Sequence, residues 1–260
     1  MRLQDLAGWV FDLDGVIWSG RQAIPGAREL VATLRETGRR VVFLSNNSTA
    51  SRQMLAERLR AHGIAANPEQ VISPMETAAR QLRERFGSVR VLVVGAEVLR
   101  AALEAEGHTC VDDPMEAEAV VMGRDETFDY HRLTQTCRAV ERGIPYITLN
   151  VDARLPIEDG QWLPGVGALV AAVEAVTGRY PEVVGKPSPL LFKAALAAMG
   201  TAPADSVMVG DTRETDIAGG RQTGMWTIQV GQRSGKPEPH LQVATPAELL
   251  QLWRDGARIG

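Results

Sequence analysis

The chain has 260 residues, 45% of them hydrophobic, enough for one large or two modest domains. Its formal net charge is -4, and no basic run or aromatic-basic interleaving suits a nucleic-acid groove. Cys110 and Cys137 and the dispersed His62, His108, His131 and His240 lack the spacing of a zinc site or disulfide framework, and no apolar run approaches the roughly 18 residues of a membrane span.

In chain order, Gly8-Trp9-Val10-Phe11 is an apolar run leading into Asp12-Leu13-Asp14-Gly15, which reads as a buried strand opening into a polar loop. Two acids there can share a divalent cation and divide the jobs of nucleophile and proton carrier, although Asp-Gly is also a common turn pair. Ala27 to Thr37 has helical spacing and ends at Gly38. The strand Val41 to Leu44 runs into Ser45-Asn46-Asn47, and Ser51 to Ala61 is again helical. A short strand, Val71-Ile72-Ser73, precedes a helix opening at Ser73-Pro74, with Glu76 three residues after the cap. Strands are then expected over Val89–Val94, Ala119–Met122 and Ile144–Leu149, with helices over Ala96–Glu106, Asp129–Arg142 and Val166–Thr177. Gly165-Val166-Gly167 lacks the third glycine of a dinucleotide loop and reads as a helix start. Val183-Val184-Gly185 ends in Lys186-Pro187, and Ser188-Pro189 starts a helix to about Met199. Val207 to Gly210 ends in Asp211, with Asp216 five residues on, and Thr245-Pro246 starts the last helix.

This alternation predicts an α/β fold with a parallel sheet. In such a sheet the carboxyl ends of the strands share one edge, and ligands bind in the crevice outside it. One site would then hold two or three carboxylates, a hydroxyl with an amide, and an ammonium, a set that with magnesium suits a phosphoryl group in transfer. Taken alone, Ser45-Asn46-Asn47 and Asp211-Thr212 are equally readable as helix caps. Asp14 and Ser45 have 30 residues between them, and Lys186 and Asp211 have 24, each room for a single crossover; Ser45 and Lys186 have 140 between them. The surplus predicts an inserted α/β domain over about 75–181, with 1–74 and 182–260 forming the core.

Asp12-Leu13-Asp14-Gly15-Val16, Ser45-Asn46-Asn47, Gly185-Lys186-Pro187 and Gly210-Asp211-Thr212-Arg213-Glu214-Thr215-Asp216 resemble, in order, the four motifs of the haloacid dehalogenase-like hydrolases. Pro25-Gly26-Ala27, Pro164 to Leu169 and Thr177-Gly178-Arg179 further resemble subclass IIA, the NagD-like and 4-nitrophenylphosphatase-like branch. The resemblance implies a Rossmann-like core with a type C2 cap in the 75–181 interval. It implies a Mg2+-dependent phosphatase acting on small phosphomonoesters (a sugar phosphate, nucleoside monophosphate or aryl phosphate) through an aspartyl-phosphate. Asp12 would be the nucleophile, and Asp14 the general acid and then base. Ser45, Asn46, Lys186 and Gly15 would bind phosphate. Asp12, Asp211 and the backbone carbonyl of Asp14 would hold the metal, with Asp216 orienting metal-bound water or Lys186.

In the cap, Asn150-Val151-Asp152 stands where relatives commonly read Asn-Pro-Asp, and Gly123-Arg124-Asp125 sets an arginine beside the usual acid. Arg124, Asp125, Asn150 and Asp152 are therefore candidates to face the leaving group, or else surface loop residues. A phosphotransferase or phosphomutase is an alternative, but such mutases usually carry the cap between the first two motifs, where this chain has no room. A non-enzymatic phospho-acceptor module would leave the large insertion unexplained. A homodimer is compatible with the resemblance. The first strand starts near residue 8, leaving no room for a signal peptide, so a soluble cytoplasmic protein is expected.

Overall fold

A computed structural model describes residues 1–156 and 161–260. The chain divides into two compact units: Met1–Ser45 with Arg52–Ile72 and Lys186–Gly260, and Asn46–Ser51 with Ser73–Gly185. The sequence borders at 75 and 181 thus fall a few residues inside the second unit, which also takes the short segment after Ser45.

The first unit is built on a six-stranded sheet ordered Leu241–Val243, Trp226–Val230, Ser206–Gly210, Gly8–Asp12, Arg40–Leu44 and Val71–Ile72. Every neighbouring pair is parallel. The central strand Gly8–Asp12 is buried at all five positions, as expected where helices cover both faces of a parallel sheet. On one face Val10, Val42 and Met208 pack in a cluster with Leu191, Phe192, Ala195 and Met199 of the helix Pro189–Met199. Burying side chains of this size contributes about 1.5–3 kcal/mol each. Gly219 lets the Phe192 ring approach its backbone, since a Cβ there would overlap the ring.

The second unit has its own five-stranded parallel sheet, ordered Glu182–Val183, Tyr146–Thr148, Ala119–Met122, Arg90–Val94 and Thr109–Val111. The helices Tyr130–Glu141 and Val166–Thr177 contribute Cys137, Val140, Val166, Val170 and Val173 to its core. Ser73 caps the helix Pro74–Phe86 by accepting from Met75 N at 3.2 Å. Both cysteines are free.

One strand lies in a different place from the sequence expectation. The run Val183-Val184 was to end at the same sheet edge as the other motif strands; instead Glu182–Val183 pairs with Tyr146–Thr148 in the second sheet. Lys186 enters the first unit from the loop that precedes the helix Pro189–Met199. No described helix is long and apolar enough to cross a membrane.

Candidate active site

Three neighbouring strands of the first sheet run out at or just before a polar residue. Asp12 closes Gly8–Asp12 and stands in register with Leu44, the residue before Ser45; Phe11 is in register with Val209, two before Asp211. Alternation of side chains and parallel pairing therefore bring Asp12, Ser45 and Asp211 to one edge. After Asp211 the chain makes a π-helical turn, Arg213–Ile217, a form that recurs at functional sites. This turn brings Asp216 back beneath the strand ends, where its Oδ2 accepts from Thr212 N at 3.1 Å.

Lys186 joins the acids. Its ammonium donates to Asp12 Oδ1 and to Asp216 Oδ1, both at 2.6 Å. Lys186 is 4% exposed and Asp216 is wholly buried. Burial by itself would discharge the lysine, but the two carboxylates outweigh it and raise its pKa, so the ammonium is kept. Burial pushes the Asp12 carboxyl well above the usual range, opposed by Lys186 and reinforced by Asp216 and Asp211. Asp211 is also raised, by burial and by Asp216, with Arg233 working against the rise. Arg233 Nη1 lies 3.0 Å from Asp211 Oδ2 and donates to Thr212 Oγ1 at 2.8 Å.

Three carboxylates thus face one buried ammonium and the exposed Arg233, leaving the cluster with excess negative charge. Asp12, Asp211 and Asp216 each offer an oxygen, all within 4.8 Å of one another. Hard oxygen donors carrying excess negative charge fit a magnesium ion, which would supply the missing positive charge. Gly15 makes room for this arrangement: its φ is +87°, and a Cβ there would overlap the Asp211 carboxylate. The N–H of Gly15 donates to Trp18 O at 2.7 Å. Its positive φ and missing side chain are what the position of the Asp211 carboxylate requires here.

Asp14 is placed differently from the other acids. Its carboxylate is exposed, outside the cluster, and its Oδ1 accepts from the Trp18 indole at 2.8 Å. Asp216 lies beside Asp12 and Asp211, with its Oδ1 accepting from Lys186 and its Oδ2 from Thr212 N. Ser45 is buried, with its N–H bonded to Ile72 O at 3.0 Å.

Within the second unit, Asn46 O accepts from Asn150 Nδ2 at 2.9 Å, and Asn150 Oδ1 accepts from Asp152 N at 3.3 Å. Asn150 is buried, so its amide serves to tie two backbone segments. Asn47 Oδ1 accepts from Thr49 N and Ala50 N, both at 2.8 Å, so the Asn-Asn pair also makes the turn before the helix Arg52–Ala61. Asp125 Oδ1 accepts from Thr127 N at 2.9 Å and Thr127 Oγ1 at 2.7 Å, a turn of its own loop. Arg124 pairs with Glu126 at 2.5 Å, and Asp152 is exposed.

Sequence reasoning passed over Trp18, Arg233, Arg213 and Gln229. The last two are buried partners: Arg213 Nε donates to Gln229 Oε1 at 2.7 Å, and Gln229 Nε2 donates to Arg233 O at 2.7 Å. A buried arginine directly after a Gly-Asp-Thr strand end is the signal that could have revealed this brace for the Arg233 loop.

Residues 9–109 match the family model described as haloacid dehalogenase-like hydrolase, and residues 183–251 a second one described as HAD-hydrolase-like. Chronophin of Mus musculus is 41% identical over 95% of this chain and 93% of its own length. Human glycerol-3-phosphate phosphatase is 36% identical over 87% of this chain and 79% of its own length. The solved p-nitrophenyl phosphatase from Archaeoglobus fulgidus superposes with a TM-score of 0.89 at 32% identity, covering 95% of this chain and 99% of that one. The chain belongs to the haloacid dehalogenase-like hydrolases, in the branch of the NagD-like and p-nitrophenyl phosphatases.

Proposed function

We propose that the protein is a magnesium-dependent phosphatase that hydrolyses small phosphomonoesters through an aspartyl-phosphate on Asp12. One observation carries the reading: the strand-end carboxylate of Asp12 is held by a buried ammonium and flanked by two further acids. A carboxylate whose pKa is raised by burial is a poor nucleophile toward a phosphate dianion unless positive charge is added. Asp12, Asp211 and the backbone carbonyl of Asp14 would hold the magnesium ion, which would supply that charge and neutralise phosphoryl oxygens, while Asp216 orients Lys186. The names of two relatives, a glycerol-3-phosphate phosphatase and a p-nitrophenyl phosphatase, support a small alkyl or aryl phosphomonoester as substrate.

Asp12 attacks phosphorus while the ester P–O bond breaks, and Asp14 gives its proton to the departing oxygen. Water then attacks the aspartyl-phosphate, Asp14 takes a proton from it, and the Asp12–phosphorus bond breaks. The sum is ester plus water to alcohol plus inorganic phosphate, with Asp12 and Asp14 restored. Lys186 holds Asp12 in place and balances charge, and the Ser45 hydroxyl is assigned to a phosphoryl oxygen, with Asn46 assisting. Leaving-group selection is assigned to the inserted unit.

Phosphate release from a panel of alkyl, sugar, nucleoside and aryl phosphomonoesters tests the reading. Turnover that needs magnesium, stops with chelator and disappears in Asp12→Asn is the expected result. Folded protein inert on the whole panel with magnesium present would refute it.

A further inference from the structure

Trp18 is fully buried, and its indole N–H points at Asp14 Oδ1, 2.8 Å away. Three features keep it there. The Trp18 N–H donates to Leu13 O at 3.1 Å, and Trp18 O accepts from Gly15 N at 2.7 Å, so backbone bonds close the loop around Asp14. Trp18 begins a two-stranded hairpin, pairing with Ala23, and Ile24 N donates to Ile17 O at 2.9 Å across its base. The Arg58 guanidinium stacks 4.0 Å above the indole centroid and also donates to Gly20 O in the hairpin turn. A guanidinium over an indole face is an attractive cation–π contact, and here it also blocks the ring from turning. The donor is therefore rigid, and the acceptor is an exposed side chain two residues past Asp12.

Resting on the phosphatase reading above, we propose that Trp18 is the positioning residue for the proton carrier Asp14. The indole occupies Oδ1 and leaves Oδ2 as the oxygen that delivers the proton to the departing alcohol and later receives one from water. An indole N–H can only donate, so it cannot take the transferable proton itself. A proton on Oδ1 would weaken the indole bond, because a hydroxyl oxygen accepts less strongly than a carbonyl oxygen, so the pairing favours Oδ2 as the oxygen that bears the proton. Arg58 and the hairpin hold the tryptophan rather than the acid.

The test is Trp18→Phe, which keeps the ring under Arg58 and removes the N–H. The readout is kcat/KM on glycerol 3-phosphate, an alkyl ester whose oxygen needs a proton, against 4-nitrophenyl phosphate, whose phenolate leaves without one. kcat/KM reports the enzyme up to leaving-group departure, so it isolates the acid's first task. The expected result is a loss of roughly ten- to a hundredfold on the alkyl ester, the factor for one hydrogen bond to a charged group, and less than about twofold on the aryl ester. In an Asp14→Ala background the same change is expected to have no further effect on either ester. Equal losses on both esters, or none on either, would overturn the proposal while leaving the phosphatase reading intact. Absence of turnover by the wild-type protein would overturn both. Should Trp18→Phe fail to fold, the indole proton resonance of Trp18 decides: a shift confined to that tryptophan in Asp14→Ala supports the pairing, and no shift overturns it.

Discussion

Replacing Lys186 with methionine isolates the electrostatic claim at the centre of the site. The side chain keeps its length and loses its charge, leaving Asp12 and Asp216 without their shared ammonium partner. At an effective dielectric of about 20, an ion pair at the 2.6 Å observed for each contact is worth on the order of 6 kcal/mol before the cost of burying the charges is counted. After desolvation, removing one partner of a buried pair costs about 3–5 kcal/mol. For a chain of this size that lowers Tm by about 6–20 °C.

The sign of the pH dependence follows from the direction of the shifts. Asp12 and Asp211 titrate above their unfolded values, so the folded state binds more protons in the interval between the two. Removing the ammonium widens that interval, so the stability deficit of Lys186→Met shrinks as pH falls through the raised carboxyl values. Thermal unfolding in chelator, followed by the fluorescence of the buried Trp9 and Trp18, measures the deficit. Magnesium is expected to raise Tm more in the variant than in the wild type, because it replaces more of the missing charge. A Tm within about 2 °C of wild type in chelator, with no acid-side recovery, would refute the reasoning.

Gly15→Ala is expected to weaken magnesium binding measured by calorimetry, since the new Cβ overlaps Asp211 and the φ of +87° costs a side-chain residue about 1–2 kcal/mol. Unchanged affinity would show that Asp211 is not held by the Gly15 turn. His240 titrates below its usual value because of burial, with Arg221 adding to the shift, and its Nδ1 accepts from Thr227 N at 3.1 Å. The unfolded chain therefore binds the proton first, and stability contributed here is lost as pH falls from about 6.5 toward the folded value. His240→Gln should flatten the urea-unfolding midpoint over that range, and an unaltered profile would remove His240 from the account. Gly219→Ala forces a methyl into the Phe192 ring and is expected to cost about 1–3 kcal/mol by urea unfolding; wild-type stability would mean that the helix yields freely.

The four motif segments were legible because each ends an apolar run with a polar group, and parallel register makes such ends converge. Asp12, Ser45 and Asp211 follow directly from that rule. Lys186 obeys it only in appearance: Val183 precedes it in a strand of the other sheet, and nothing in a two-residue apolar run states which sheet it joins. The strand Trp226–Val230 was overlooked for a physical reason. Both its faces are buried, yet Thr227 and Gln229 interrupt the expected apolar run because their polar groups are spent on His240 and Arg213. The Trp18 hairpin carries even less signal, with two-residue strands and the exposed pair Gln22 and Ala23. Asp216 was legible as a nearby acid, whereas its place in the cluster depends on the π-helical turn, which five polar-rich residues do not announce. Among the residues considered for leaving-group contact, Asp125 accepts within its own loop, an ordinary role for Asp, whereas Asn150 donates to the distant Asn46 carbonyl.

The central claim is that Asp12 is the atom donor to phosphorus. Rapid acid quench of the protein turning over 4-nitrophenyl phosphate with magnesium, followed by mass analysis of the peptides, tests it directly. The account predicts one added phosphoryl group on the peptide bearing Asp12, absent with chelator and absent in Asp12→Asn. A phosphoryl group on any other residue, or full turnover by Asp12→Asn, would contradict it.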